Sequence, residues 1–300
     1  MKSILLASLC LTCKFIPHIV PFIMQTEKAK SDCSFIHLCQ PDLCKSCGAC
    51  CGLYNYADSG REALVRRLRW RTALFHEIVK DSENLEHFSN LIRGTEDQTR
   101  RYEVIYCCEY LGFLDPAEKR VGCLLHPLQN QGRDLRGVSF YGQELCDGHF
   151  CPSYHYLSSE EKRTLIAVID DWYLYGLCVT DIDLVKAYFR LVSDGLFATP
   201  RPEKIKMEPM RSLVLKFFEL KLVWPYRDPA VNRLGKYYFD GAQYMIDRID
   251  YEALGCEKSR FDPIFLSLSS RFKSREELLA AEKIIQGHVD AFIEAYSSCS

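Results

Sequence analysis

Six cysteines fall within nineteen residues near the start of this chain: Cys33, Cys39, Cys44, Cys47, Cys50 and Cys51. The last four read Cys-x2-Cys-x2-Cys-Cys, and a second set lies downstream as Cys107-Cys108, Cys123, Cys146 and Cys151. Such density constrains the fold more than any hydrophobic pattern, because the segment that carries it must be shaped around the sulfurs. Adjacent cysteines make poor disulfide partners, since a disulfide needs its Cα atoms about 4.4–6.8 Å apart with suitably aimed Cβ bonds. Sixteen cysteines in 300 residues also fall below the density of small disulfide scaffolds. A chain this long does not need staples to fold. The close spacings therefore favour metal ligation over a disulfide framework.

Cys-x2-Cys is the spacing at which a tight turn brings two thiolates onto one centre, and another x2-Cys adds a third. Zinc takes four such ligands tetrahedrally at about 2.3 Å, and an iron–sulfur cluster also takes four. Cys44, Cys47 and Cys50 match the start of a ferredoxin run, but position 54 is Tyr54 where that run has its next cysteine. The remote Cys151-Pro152 can supply the missing ligand. Neither doublet gives both sulfurs easily to one small ion, so one member of each packs or serves a second centre. The candidate ligands are Cys44, Cys47, Cys50, Cys51, Cys108, Cys123, Cys146 and Cys151, enough for two four-ligand centres. The expected cofactor is a zinc ion or an iron–sulfur cluster, in one or two centres. Cys33 and Cys39 read as plain cysteines, and Cys39-x4-Cys44-x2-Cys47 is one residue too long for the radical-SAM spacing.

These residues resemble a known family. Cys44-Lys-Ser-Cys47-Gly48-Ala-Cys50-Cys51, then Cys108-Glu-Tyr-Leu, then Cys123-Leu-Leu-His126-Pro127, then Cys146 and Cys151-Pro152, is similar to the YkgJ-type family of zinc- or iron-chelating proteins. The resemblance covers residues 44 to 155 and implies metal chelation by the eight cysteines. Where that family carries Arg-Pro and Cys-Arg, this chain reads His126-Pro127 and Cys151-Pro152, so no anion-binding role is carried over for those arginines. Flagellin lysine methylases are distant relatives of the family. The resemblance therefore leaves an iron–sulfur-dependent oxidoreductase or methyl-transferring enzyme as an alternative.

Lys+Arg number 38 against Asp+Glu 40, a net charge of −2, so no basic excess points to a polyanion. Nucleic-acid binding is not expected, and the cluster Arg66-Arg67-Leu68-Arg69-Trp70-Arg71 reads first as the solvated face of a helix. The apolar run Ser3–Cys13 imitates a secretory signal, but Lys14, Pro17 and Pro21 break the stretch after it and no Ala-x-Ala site precedes Glu27. The run is too short to span a membrane, which takes about 20 apolar residues. Residues 1–32 read as an extension or a mis-assigned start, with Met24 as a second start, and the protein as cytoplasmic. The alternatives are a signal peptide over residues 1–24 and a secreted, disulfide-bonded protein.

The expected fold is mainly α: a cysteine-rich metal-binding loop region, residues 33–156, packed on a helical body, residues 157–300, with a few short strands. Leu64, Leu68, Phe75, Ile78 and Val79 keep helical spacing over 61–80, and a short helix comes next over Leu85–Ile92. Glycines punctuate 102–156, where Tyr102–Tyr106 and Gly137–Tyr141 read as brief strands. Ser158-Ser159-Glu160-Glu161 is a capping box that opens a helix through Leu165, Ile169, Trp172 and Tyr173. Thr180 with Asp183 caps the next helix, Ser212–Leu222 forms a third that Pro225 stops, and Ser274-Arg275-Glu276-Glu277 is a second capping box. Trp172, Tyr173 and Tyr175 read as core, as do Tyr237, Tyr238 and Phe239. His126 and His149 are weaker candidates for a ligand or its support, with a turn role preferred for His126. Arg133 and Arg136 lie in a glycine-flanked loop that suits either an anion or plain exposure. Phosphate-loop, nucleophile-elbow and His-Glu-x-x-His motifs are absent from the sequence.

Overall fold

The periodic apolar stretches form helices, and the cysteine-bearing stretches form turns that those helices hold. In the computed structural model, residues 36–298 are described except 81–83, 104, 232–238, 241–242 and 245–247. The N-terminal extension, Cys33, the second start at Met24, and Tyr237 and Tyr238 lie outside these residues. The fold is mainly α.

In the first half, α1 (Arg61–Ile78) and α2 (Asn84–Thr95) lie beside a small antiparallel hairpin of β1 (Leu111–Phe113) and β2 (Val121–Cys123). The register pairs Leu111 with Cys123 and Phe113 with Val121. Leu64, Leu68, Leu74 and Phe75 of α1 are buried, one stripe at helical spacing. Short 3-10 turns at Ala49–Cys51, Pro127–Gln129 and Arg136–Val138, with the small helices α3 (Gly142–Gly148) and α4 (Pro152–Tyr156), complete the region. Gly137–Tyr141 is a 3-10 turn and its exit rather than a strand, and the described residues of Tyr102–Tyr106 form none. The hairpin forms between these two stretches instead, where Leu111–Phe113 and Val121–Cys123 pair across a turn.

The second half is a helical body of α5 (Ser159–Val168), α6 (Trp172–Val179), α7 (Ile182–Leu196), α8 (Pro202–Ile205), α9 (Met210–Val223), α10 (Asp262–Ser267) and α11 (Arg275–Ser298). A two-residue hairpin, β3 (Phe239–Asp240) with β4 (Gln243–Tyr244), sits between α9 and α10 in the chain. The core of this half is built from Leu165, Val185, Tyr188, Phe217, Ile285 and Phe292, all buried. Tyr188 stacks on Phe217 at 4.2 Å between ring centres.

The expected capping box at Ser158 and Glu161 forms in both directions. The helix after it does not run on to Tyr173. Ile169 leaves helical geometry at φ −105° and ψ 108°, and the Asp171 side chain caps α6 by accepting from Leu174 N at 2.8 Å. Asp181, rather than Thr180 with Asp183, caps α7 through Leu184 N at 3.1 Å, while the Thr180 hydroxyl donates to Gly176 O. Asp181 also meets Lys221 at 2.5 Å in a fully buried pair. At the last helix the Ser274 hydroxyl accepts from Glu277 N at 3.4 Å, and the Glu277 carboxylate accepts from Lys273 N at 2.7 Å.

The basic cluster of α1 is not a plain solvated face. Arg66 and Arg69 are exposed, but Arg71 lies three and seven residues after Leu68 and Leu64, on the buried stripe, and is 1% exposed. Glu96 compensates it with hydrogen bonds at 2.8 and 2.7 Å, and Arg67 pairs with the same carboxylate.

Candidate metal centre

The cysteine knuckle is seated on the helical body through α6. Tyr175 Oη donates to Leu38 O at 2.9 Å, and Tyr54 Oη donates to Tyr173 O at 3.0 Å. Cys47 N donates to Cys39 O at 2.9 Å, which folds the preceding segment back beside the knuckle. Ser46 ties the knuckle to β2, accepting from Val121 N at 2.5 Å and donating to Val121 O at 2.7 Å. Cys108 N donates to Cys51 O at 2.9 Å, and Arg71 Nη1 donates to Cys108 O at 2.8 Å. A buried guanidinium thus fixes the peptide that carries Cys108.

Seven of the eight sequence candidates stand among other thiols, in two adjoining groups. In the first, Cys47 and Cys151 pack against the core of the helical body. Burial pushes the Cys47 thiol up, and the nearby Cys39 and Cys151 add to it. Burial and Cys151 raise Cys39 to about 11. Cys50 and Cys151 share a thiol hydrogen bond that raises Cys50 and lowers Cys151 to about 6. Cys151 stands at the start of α4, where the amides of Ser153 and Tyr154 also favour its thiolate. In the second group, Cys51, Cys108 and Cys123 pack in one cluster with Tyr110 and Leu124. Burial pushes Cys51 well up, with Cys108, Cys123 and Cys146 as its next influences and Cys39 after them. Burial and Cys123 raise Cys108, while burial leads in bringing Cys123 to about 11. Cys146 enters from α3, its sulfur 3.6 Å from Ser139 Oγ.

Cys44 is exposed, as is Cys50. The Asp42 carboxylate accepts from the amides of Cys44 and Lys45 at 2.7 and 3.0 Å and pairs with Lys45 Nζ at 2.5 Å. Lys45, only 2% exposed, turns inward, so its neighbour Cys44 turns out. Cys39, which the spacing leaves aside, is the fourth thiol of the first group. Nothing in the spacing alone marks it; only the backbone bond to Cys47 does. Cys107 is buried and has partners of its own, accepting from Asn55 Nδ2 at 3.7 Å and donating to Gly52 O at 3.3 Å. Both doublets therefore split, as expected of adjacent side chains on an extended or tightly turned backbone.

His126 is a turn residue: its Nδ1 accepts from Leu128 N at 3.2 Å and caps the 3-10 turn. Arg136 is buried and forks onto Asp134 at 2.9 and 2.6 Å, with Asp147 at 2.9 Å, so its charge is already matched. Tyr106, Phe140 and Tyr141 form an aromatic group beside the second set, with Tyr106 and Phe140 stacked at 4.4 Å. An open cleft of about 610 Å³ in the helical body is lined by Glu161, Asp183, Lys186 and Arg190, away from the thiols.

The donor set suits a soft, positive guest, since buried thiols that raise one another are relieved by a cation that stabilises their thiolates. Twelve described cysteines are free thiols. Among the described residues, however, no three His, Cys, Asp or Glu side chains gather tightly enough to hold an ion as they stand. A tetrahedral zinc holds its sulfurs about 3.8 Å apart, given bonds of about 2.3 Å. A polynuclear iron–sulfur core takes thiolates at its corners and accepts a wider set. As they stand, the described cysteines do not form a ready site for a metal, and binding would have to draw them together.

Among the described residues, no helix is long and apolar enough to cross a membrane. No family model matches the chain, and neither a curated protein nor a solved structure matches it.

Proposed function

We propose that this is a cytoplasmic metal-binding protein whose cysteines ligate an iron–sulfur or zinc centre, in the manner of the YkgJ-type proteins its motif resembles. The observation that carries this reading is the gathering of Cys47, Cys50, Cys51, Cys108, Cys123, Cys146 and Cys151 from four separate stretches of chain into adjoining groups. Packing alone gives no reason to bring so many cysteines together. Free thiols at the twelve described cysteines suit a reducing compartment. When bound, the centre supplies either a structural clasp or an electron store; the chain's own residues hold it, shield it and fix its ligands.

Protein purified without air is to be assayed for iron, zinc and sulfide, with its absorption spectrum. Stoichiometric zinc, or stoichiometric iron with sulfide, is expected. Cys47→Ser should lose metal and melt earlier, because binding free energy at such sites is folding free energy. Metal-free wild-type protein with oxidised thiols would overturn the proposal in favour of a disulfide protein, with Cys50 and Cys151 as the first pair to seek. Cys47→Ser with unchanged metal and melting would also overturn the assignment.

A further inference from the structure

We infer that Cys51 and Cys108 form an oxidation site, where a peroxide joins them in a reversible disulfide that ties the cysteine knuckle to the 106–108 segment. The inference stands on backbone geometry and does not depend on the metal reading. It gives two of the proposed ligands a second chemistry.

The chain brings these two residues together by a direct peptide contact. Cys108 N donates to Cys51 O at 2.9 Å. Standard bond lengths then cap the separation of their Cα atoms at about 6.8 Å. That is no farther than a disulfide usually spans. Both side chains also pack on one apolar cluster with Tyr110 and Leu124.

The contact is held from both flanks. Gly52, with φ +80°, lets the knuckle come so close that a Cβ there would overlap the Tyr106 carbonyl oxygen. Beyond it Arg101 N donates to Asn55 O and Ala57 N to Thr99 O, each at 2.9 Å. Asn55 Nδ2 donates to Tyr102 O at 3.0 Å and to Ile105 O at 2.8 Å. From the other side Arg71 Nη1 donates to Cys108 O at 2.8 Å. With both peptides fixed in place, the bond closes without the backbone movement that distant cysteines need. The neighbouring thiols are placed differently. Cys107 donates to Gly52 O at 3.3 Å, and Cys123 shares the cluster but has Leu111 as its strand partner.

Exposure sets the order of events, since Cys51 is partly exposed and Cys108 is buried. The Cys51 thiolate attacks one peroxide oxygen and the O–O bond breaks. Cys51 becomes a sulfenic acid, and the other oxygen leaves as hydroxide, which takes the proton that Cys51 gave up. The Cys108 sulfur then attacks the Cys51 sulfur, the S–O bond breaks, and a second water leaves with the Cys108 proton. Two thiols lose two electrons, and one peroxide becomes two waters. Where the two sulfurs hold a metal, the new bond removes both ligands and releases it.

The test uses the full-length chain, reduced, freed of reductant and treated with hydrogen peroxide in the presence of a chelator. Remaining thiols are blocked with iodoacetamide, and the peptides are mapped by mass. A Cys51–Cys108 bond that dithiothreitol removes is expected. Cys50→Ser and Cys107→Ser should keep it, which assigns the sulfur within each doublet. Cys108→Ser should leave Cys51 as a sulfenic acid that dimedone traps. A bond from Cys108 to Cys123 would overturn the inference, as would Cys51 and Cys108 both alkylated while Cys50 and Cys151 are joined. A Cys50–Cys151 bond formed beside the expected one draws on other sulfurs and leaves the inference standing. Chain loaded with Zn²⁺ should lose the ion on the same treatment without chelator. A chain that forms the Cys51–Cys108 bond but takes up no metal would sink the proposed function and keep this oxidation site.

Discussion

At the scale of single residues, the approach of the knuckle to the 106–108 segment depends on Gly52. Its φ is +80°, and a Cβ there would overlap the Tyr106 carbonyl oxygen and lie 2.8 Å from Cys107 Cα. Neither atom can move without shifting the peptide that carries Cys108. Gly132 makes a clean control, with φ +87° and nothing within 4 Å of a Cβ. Gly132→Ala should cost about 1 kcal/mol for the left-handed backbone alone. Gly52→Ala should cost that and about 1–3 kcal/mol more for overpacking, and should lower metal content as well. Denaturant midpoints and metal assays compare the two, and equal costs would mean the close approach is not a constraint. Arg71 teaches a related lesson. Counted in a basic run it reads as surface, yet its place on the Leu64–Leu68 stripe puts it inside. The stripe is visible in the sequence, but its partner Glu96 lies 25 residues away and no local rule joins them.

At the scale of elements, periodicity located the helices well and their ends less well. α1, α2 and α9 fall where the apolar spacing puts them, because a helix that buries one face must repeat its apolar residues at about 3.6. The break between α5 and α6 was harder to read, since Ile169 and Trp172 continue the apolar pattern across it. Only the Asp171 cap marks the new start, and a single aspartate is a weak signal in a charged segment. The Ser158 box, by contrast, is a two-residue signal and forms as expected. Ser158→Ala should therefore lower stability by about 1 kcal/mol through the lost cap. Glu161→Ala should add little beyond it, since the two side chains act on one turn. A double-mutant cycle on thermal melting checks this, and full additivity would show that the box does not act as a unit. The candidate site was legible to the same degree: seven sulfurs are named by spacing and motif, but which of Cys39 and Cys44 faces inward depends on Lys45 and its pairing with Asp42 and Asp170. That pairing crosses from knuckle to helical body, beyond the reach of any spacing rule.

At the scale of the whole molecule, the helical body is the part whose stability can be measured without touching the thiols. His288 on α11 sits against Phe217 of α9 at 6.2 Å between ring centres. Burial lowers its pKa from the ordinary 6.5, and the charge of Lys216 lowers it further. The unfolded chain therefore binds more protons at this position than the folded one. Stability rises with pH through the window and is lost progressively as pH falls below about 6.5. Other histidines, among them His37, His126 and His149, are lowered by burial in the same sense but lie in the cysteine region. Acid also strips metal from thiolates, so the melting of wild type alone would mix all these effects. The comparison with His288→Gln, neutral at every pH, separates them. The variant should gain on wild type as the pH is lowered from about 7.5 to about 5.5, with the difference in melting temperature small above about pH 6.5 and growing below it. A difference that stays constant with pH would mean that His288 takes up its proton equally well folded and unfolded. The acid sensitivity of the chain would then belong to the cysteine region and the metal it holds.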